Sequence, residues 1–278
     1  MRLHICGARG STPAPGAPFV RYGGHTSCIA VARDGERPRL ILDVGTGVRR
    51  VTELLGGEAF RGTILLGHLH WDHTQGLPFF SAGDRAETNA HLLLPAQSEP
   101  VALLERMISP PYFPIGPLQL HGKWRFEGID EGDHEFDGFS VAAREIPHKG
   151  GRTFGYRISD GRTSFAYLSD HSPLSLGEGS DGLGEYHDAA LALTAGVDLV
   201  VHDAQHRATE FPRLAFLGHS AAEYAVGLAR EAGARRVLLF HHDPARTDDE
   251  IDALVASFVD GNGFVQAATE GSVIDLPG

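Results

Sequence analysis

The segment Gly67–Pro78, GHLHWDHTQGLP, constrains the fold of this chain more than any other stretch. It follows Thr63–Leu66, a short apolar run that is typical of a buried strand. A polar loop rich in histidine would explain one or two potential ligands here, but not four on one bend. We therefore predict a metal site directly after a buried strand, at a segment with four potential ligands: His68, His70, Asp72 and His73.

Composition indicates a globular α/β protein. The 278 residues show no internal repeat, charged tail or linker, so we predict one domain over residues 1–278. A hydrophobic content of 42% and 35 glycines fit a globular, loop-rich chain. The net charge of -12 argues against binding to phosphate backbones as the main activity, since that needs a basic surface.

The sequence also predicts a soluble, cytoplasmic protein with no membrane segment. Cys6 and Cys28 are the only cysteines, and their spacing gives no reason to infer a disulfide. The first ten residues, MRLHICGARG, lack the apolar core of a signal peptide. The longest apolar stretch, AALALTAGVDLVV, is interrupted by Asp198 and is too short to cross a bilayer.

Apolar runs of strand length recur in both halves of the chain. Residues 48–57 have helical spacing and end on glycines. Capping boxes at Ser220–Glu223 and Thr247–Glu250 predict helices over residues 221–232 and 248–259. Two sets of strands with helices between them predict a layered α/β sandwich. The strand-like runs are LHICG, TSCIAVA, RLILDVG and TILLGH, then FSVAAREIPH, TFGYRI, TSFAYLSD, DLVVHDA and RVLLFHH.

Two other segments are predicted to be loops. Residues 109–124 are crowded with prolines and aromatic residues, which favours a loop that covers the core, the alternative being a lid that narrows a pocket entrance. Gly7–Pro13, GARGSTP, lacks the G-K-[ST] ending of a phosphate loop and is predicted to be a turn.

Further potential ligands follow the apolar runs of the second half. His148 comes after EIP, Asp170 after AYLS, and His241 after VLLF. Side chains at the ends of strands project into loops, where sites are built on a rigid scaffold. Histidine and aspartate at such positions suit zinc or a similar divalent metal. One such residue means little, but the repetition indicates a metal centre.

These residues resemble a known family. The motif H-x-H-x-D-H of the metallo-β-lactamase superfamily is matched by the ligands of the Gly67–Pro78 segment, and the similarity extends from GARGSTP to LLFHHDP. Within the superfamily, the chain is most similar to the ribonuclease Z and class II cyclic-phosphodiesterase branch. The resemblance implies a four-layer αββα sandwich, with the site at one edge of the sheets.

The resemblance also implies two divalent metal ions, with zinc expected and manganese or iron(II) as alternatives. Asp43 matches an aspartate that orients the first histidines. His241 is preferred to His242 because it directly follows the apolar strand, and roles for His171 and His206 stay open. The ligands form two groups that share one bridging carboxylate: His68, His70 and His148 for one ion, Asp72, His73 and His241 for the other, and Asp170 for both.

A second motif, FLGHSAAE, resembles the G-H-S-T motif of phosphodiesterases in this branch. It implies that His219 contacts the phosphate and protonates the leaving oxygen, that Asp203 orients His219, and that Asp72 takes part in catalysis. The alternative is that His219 only extends a helix cap. The chain departs from the motif at Ala221, where a hydroxyl is lost, and at Asp203, where the branch carries a longer acid.

We therefore expect a hydrolase that acts on a small-molecule, nucleotide-like phosphodiester. Ribonuclease Z enzymes grip precursor tRNA with a protruding arm between the bridging aspartate and the last histidine. Residues 171–197 of this chain are short and acidic there, which makes tRNA an unlikely substrate. A lactonase or thioesterase using the same metals and a non-catalytic carrier protein are further alternatives, and a homodimer is left open.

Overall fold

The computed structural model describes residues 1–258 and 263–276, in which fourteen strands form two seven-stranded sheets. The strand order is β14-β1-β2-β3-β4-β5-β6 in the first sheet and β13-β12-β11-β10-β9-β8-β7 in the second. The strands are β1 (Arg2–Gly7), β2 (Cys28–Ala32), β3 (Leu40–Leu42), β4 (Arg61–Leu65), β5 (Asn89–Pro95), β6 (Lys123–Ile129), β7 (Gly132–Phe136), β8 (Phe139–Glu145), β9 (Phe154–Ser159), β10 (Ser164–Leu168), β11 (Leu199–Asp203), β12 (Val237–Phe240), β13 (Val265–Ala267) and β14 (Val273–Asp275).

Three apolar clusters separate four layers of structure. The middle cluster joins the two sheets and includes Ile29 and Phe240. One outer cluster packs the first sheet against Val48, and the other packs the second sheet against Tyr224 and Leu228. The predicted αββα sandwich is therefore confirmed. Its helices are α1 (Val48–Leu54), α2 (Trp71–Thr74), α3 (Pro100–Glu105), α4 (Asp188–Thr194), α5 (Phe211–Leu214), α6 (Ala222–Glu231) and α7 (Asp248–Ala256).

Strand direction explains why polar residues collect at one edge. β3 and β4 are parallel neighbours in the first sheet, and β10, β11 and β12 are parallel neighbours in the second. β8 runs in the same direction as β10, because each is antiparallel to β9 between them. The carboxyl ends of these strands therefore meet at a common edge, where the chain leaves each strand as a loop.

The predicted helices form with shifted ends. Thr247 and Glu250 make the expected capping box at the start of α7, which ends at Ala256; residue 259 of the predicted helix lies outside the described residues. The capping box at Ser220 is wrong: the Ser220 hydroxyl donates to the His171 carbonyl at 2.7 Å. Residues 220–222 instead pair with His206 in an extended bridge, so α6 begins only at Ala222.

The segment 109–124 covers part of the core, as the first interpretation predicts. Leu120 is buried in the cluster against the first sheet, and Phe113 packs edge-on against Phe79 with ring centroids 5.7 Å apart. The segment ends by entering β6. None of the described helices has the length and apolar character that crossing a membrane requires.

Candidate metal centre

The seven predicted ligands meet at the common edge of the two sheets. Short loops after four strands position five of them, and α2, which begins one residue after His70, positions the other two. Because β4, β8, β10 and β12 all end here, residues up to 169 positions apart come into contact. The ligands are His68 and His70 after β4, Asp72 and His73 in α2, His148 after β8, Asp170 after β10 and His241 after β12.

The first group consists of His68, His70, His148 and Asp170, and its ligand atoms lie within 4.8 Å of one another. His148 Nε2 is 3.3 Å from His70 Nδ1. Asp170 Oδ2 lies 3.5 Å from both His68 Nε2 and His148 Nε2. Three ring nitrogens and one carboxylate oxygen thus converge on a single point.

The second group consists of Asp72, His73, His241 and Asp170, again with ligand atoms within 4.8 Å. Asp72 Oδ2 is 2.9 Å from His241 Nε2 and 3.2 Å from His73 Nε2. Asp170 Oδ1 is 3.0 Å from His73 Nε2 and 3.2 Å from His241 Nε2. Asp170 therefore gives one oxygen to each group, which is the arrangement expected of a bridging carboxylate.

Both groups fit divalent cations. Within the described residues, His68 Nε2, His73 Nε2 and both Asp170 oxygens are buried without a hydrogen-bond partner, which costs about 1–3 kcal/mol for each such atom. Burial opposes charge on His73, but the Asp170 and Asp72 carboxylates raise its pKa well above the ordinary value. Burial lowers the pKa of His148 to about 4 and that of His68 well below its ordinary value. These two rings are therefore neutral, the form that binds metal.

Asp43 anchors the second group from below. Its Oδ2 accepts hydrogen bonds from His73 Nδ1 and the Tyr167 hydroxyl, both at 2.6 Å, and from Ser27 at 3.1 Å. Its Oδ1 accepts from the Gly67 backbone at 2.8 Å. Asp43 was expected to orient the first histidines of the motif; its imidazole contact is instead to His73, the last one, and the Asp43 backbone is left-handed with φ 58°.

His219 and Asp203 form a buried pair beside both ligand groups. Asp203 Oδ2 accepts from His219 Nδ1 at 3.1 Å, and Asp170 Oδ2 lies 3.7 Å from the same nitrogen. Burial disfavours a charged imidazole, yet the Asp203 and Asp170 carboxylates outweigh it and raise the pKa of His219 to about 9. His219 also stacks on His241, with ring centroids 4.9 Å apart. The pair holds a proton next to the ligands.

The structure places the three histidines left open by the sequence outside the ligand groups. His242 Nε2 donates to the Ala268 carbonyl at 2.9 Å, on the far side of the chain from His241. The His171 ring contacts His202 and His187 instead. His206 is buried with its ring centroid 6.0 Å from that of His219.

Several residues of the site escaped prediction from the sequence. The backbone amide of Ser11 donates to Asp72 Oδ2 at 2.7 Å, which gives the GARGSTP turn a role in orienting a ligand. Trp71, Gln205 and Leu217 line a cleft of about 490 Å³ above the ligands. A clue existed only for Trp71, which stands between two ligands in the printed sequence; the others come close through the fold.

Comparisons with known proteins agree with this geometry. The model of the family described as "Beta-lactamase superfamily domain" matches residues 61–242. The ribonuclease Z of Natronomonas pharaonis is 23% identical over 100% of this chain and 98% of its own length. The metallo-beta-lactamase fold protein YhfI from Bacillus subtilis superposes with a TM-score of 0.72 at 17% identity, covering 99% of both chains. A diphosphatase from the PhnP family gives 0.69 at 18% identity, covering 99% of this chain and 98% of its own.

The matched residues extend from the start of β4 to His242 and contain every predicted ligand of both groups. The structural neighbours share the sandwich over almost the whole chain. The expected family and the expectation of an enzyme are confirmed: the chain belongs to the metallo-β-lactamase superfamily and is a metal-dependent hydrolase of that family.

Proposed function

We propose that this chain is a phosphodiesterase that hydrolyses a small or nucleotide-like phosphodiester at a pair of divalent metal ions. The observation that carries the proposal is the buried Asp203–His219 pair beside both ligand groups. Expulsion of an alkoxide from phosphorus needs a proton, and a positioned imidazolium is the side chain that most often supplies one.

The two ligand groups would hold the metals, with Asp170 shared between them. Mixed imidazole and carboxylate donor sets such as these favour zinc, with manganese or iron(II) as alternatives. When bound, a metal pair supplies an activated water and stabilises negative charge on phosphoryl oxygens. The Ser11 amide holds the Asp72 carboxylate in place through its 2.7 Å hydrogen bond.

His219 acts as the general acid in this proposal. Burial opposes charge on its imidazole, but the Asp203 carboxylate, which belongs to neither metal group in this proposal, raises the pKa of His219 and favours the protonated ring. Asp203 accepts a hydrogen bond from the Nδ1–H group and stabilises the positive ring, so Nε2 is the nitrogen that gives its proton to the leaving oxygen. The hydrogen bonds from the backbone amides of His171 and Ser220, both at 3.1 Å, fix the Asp203 carboxylate.

Two features support a small substrate. The cleft of about 490 Å³ lies within the usual size of small-molecule sites. Residues 171–197 fold back on the second sheet, where Leu174 and Tyr186 pack against its outer apolar cluster. Glu178 and Glu185 in this segment add negative charge that disfavours RNA.

Maturation of tRNA is the second candidate, favoured by the full-length similarity to a protein named ribonuclease Z. Binding of folded RNA requires many contacts between cationic side chains and phosphates, so the rate of RNA cleavage falls steeply as the salt concentration rises. A small diester held by metals and His219 is expected to depend little on moderate salt.

The first test concerns the metals. Wild-type protein is expected to bind about two transition-metal ions, and Asp170→Ala to lose metal and activity together because both groups share this carboxylate. Elemental analysis is the measurement. A metal-free wild type that keeps full activity would refute the proposed centre.

The second test concerns the substrate and the acid. Metal-loaded protein is assayed on small phosphodiesters, precursor tRNA, lactones and thioesters across a salt series. His219→Ala is expected to keep its metal and to lose about 10²–10⁴-fold in turnover of diesters. His121→Ala is the control, because His121 forms a comparable pair with Asp84 at 2.8 Å on an exposed surface. Efficient, site-specific tRNA cleavage at low enzyme concentration would reverse the ranking of the two candidate functions. Unchanged turnover in His219→Ala would refute the role of His219 as general acid.

A further inference from the structure

An exposed tryptophan stands at the mouth of the metal centre. Trp71 is the first residue of α2, lies between the ligands His70 and Asp72, and is 74% exposed. Leu217, 43% exposed, lies across the cleft two residues before His219. We call the surface formed by Leu69, Trp71 and Leu217 the entrance collar.

The two ends of the collar are fixed to the chemical centre. Trp71 lies between the predicted ligands His70 and Asp72 in the chain, so its backbone position is tied to theirs. Leu217 precedes Gly218, whose carbonyl accepts a hydrogen bond from His148 Nδ1 at 2.7 Å. The backbone positions from which both apolar side chains project are therefore tied to the ligands and His219.

The composition of the cleft defines what the collar contacts. The described residues that line it include neither lysine nor arginine, so a second anionic group of a substrate meets no such partner within this cleft. Trp71 offers the largest flat apolar surface, and Ser11 and Gln205 offer polar atoms at its border. An indole exposed to water gains most from covering by another flat ring.

We propose that Trp71 is a specificity-determining residue that stacks on an aromatic ring joined to the phosphoryl group of the substrate. The inference rests on the proposed phosphodiesterase function and narrows its substrate to diesters with a planar ring, such as a nucleobase. Stacking of a base on an aromatic side chain changes binding by about 5- to 150-fold. Diesters without a ring lose this contact.

The chain allows a direct binding test, because it contains two tryptophans. Trp124, the other one, lies on β6, stacks on Phe126 at 5.5 Å and donates to the Gly83 carbonyl, away from the collar. Metal-loaded Trp124→Phe and Trp71→Phe variants are titrated with adenosine 5′-monophosphate and with ribose 5-phosphate while indole fluorescence is recorded. We expect the nucleotide to quench the indole fluorescence of Trp124→Phe, which retains Trp71, and not that of Trp71→Phe, which retains Trp124. Ribose 5-phosphate is expected to quench the fluorescence of neither variant.

Quenching that persists in Trp71→Phe, or that is missing in Trp124→Phe, would overturn the proposal. A Trp71 emission that shifts with protein concentration without nucleotide would also overturn it, by assigning the collar to a second copy of the chain. Since Trp71 is largely exposed, Trp71→Phe is expected to fold like the wild type. Trp124→Phe loses the hydrogen bond to the Gly83 carbonyl, so its circular dichroism spectrum and metal content are compared with those of the wild type before the titration.

A kinetic test uses two diesters with the same ring-free leaving group, thymidine 5′-(2,2,2-trifluoroethyl phosphate) and methyl 2,2,2-trifluoroethyl phosphate, and follows release of trifluoroethanol by fluorine NMR. Trp71→Ala is expected to lower kcat/KM for the nucleoside ester about tenfold more than for the methyl ester. Equal losses would refute stacking while leaving the phosphodiesterase intact. Nucleotide quenching without hydrolysis of either ester would refute the phosphodiesterase while leaving the stacking site intact.

Discussion

Replacing Asp43 with asparagine isolates the part that one buried carboxylate plays in the metal centre. The left-handed backbone at Asp43, φ 58°, is one that asparagine also adopts readily, so the substitution adds little backbone strain. The carboxylate receives four hydrogen bonds, all of which it accepts: from Gly67, His73, Tyr167 and Ser27. An asparagine amide has only one acceptor oxygen. Its nitrogen, which is itself a donor, must therefore face either Gly67 or the group of His73, Tyr167 and Ser27.

Both orientations of the new amide carry a cost. If its oxygen stays near His73, the amide nitrogen opposes the Gly67 N–H, and an unpaired buried donor costs about 1–3 kcal/mol of unfolding free energy. If its nitrogen faces His73, the ring must move its proton from Nδ1 to Nε2. The nitrogen that faces Asp72 and Asp170 then carries hydrogen and cannot bind metal. Loss of such an orienting partner lowers metal affinity about 10- to 100-fold.

The assay separates the two outcomes. Urea unfolding of metal-free protein reports the stability cost, and competition with a coloured chelator reports the affinity of each metal. Asp198→Asn is the control, because the Asp198 carboxylate accepts from the Ser164 amide at 2.9 Å far from the ligands. Asp43→Asn is expected to weaken one metal selectively, the one held by His73. Unchanged stability together with unchanged affinity for both metals would refute the reasoning.

Two further predictions follow from the packing. A Cβ on Gly10 would lie 2.3 Å from His241 Nδ1, so Gly10→Ala is expected to displace that ligand and lower metal content and activity, whereas Gly116→Ala, whose nearest neighbour is at 3.7 Å, is not. Burial lowers the pKa of His242 from 6.5 to about 3. Between these two pKa values the unfolded chain therefore binds more protons than the folded chain, and the unfolding free energy falls as the pH drops below 6.5. The contribution of this residue to the fall is about 2 kcal/mol at about pH 5. Urea unfolding of the metal-free wild type and of His242→Gln, each at neutral pH and at about pH 5, measures this loss. An equal fall in unfolding free energy in the two proteins would contradict the prediction.

The sequence predicts most of the ligand set because the ligands share one local property. Each of His68, His148, Asp170 and His241 follows an apolar run that forms a strand, and the carboxyl ends of those strands meet at one edge. His241 was separable from His242 for the same reason, since the residue directly after β12 points into the edge. Local pattern and strand direction together determine this part of the site.

Contacts between distant loops could not be predicted in this way. Ser220 has the sequence of a helix cap, yet its hydroxyl is taken by the His171 carbonyl and its neighbours pair with His206. Asp43 contacts His73 from a left-handed backbone conformation that no residue pattern announces. Tertiary hydrogen bonds outweigh local propensity at both positions.

The abundance of histidine does not by itself identify a metal ligand, and neither does a buried ring nitrogen without a partner, since both nitrogens of His206 are of that kind and His206 joins no ligand group. Convergence of such nitrogens with carboxylate oxygens is the distinguishing feature. His187, His171 and His202 form a second cluster beside the metal centre. Nδ1 of His187 accepts from the Ala190 amide, so its Nε2 donates to His171 Nε2 at 2.7 Å.

The positions of the other ring protons in this second cluster follow from that of His187. His171 Nδ1 donates to His202 Nε2 at 3.0 Å, and His202 Nδ1 donates to the Asp203 carbonyl at 2.7 Å. Burial lowers the pKa of all three imidazoles, in agreement with one proton on each ring. Every ring nitrogen is satisfied, and no nitrogen is left to bind a cation. At the seven predicted ligands, by contrast, ring nitrogens face carboxylate oxygens, which cannot donate hydrogen bonds to them. A positive charge between these nitrogens and oxygens would satisfy both.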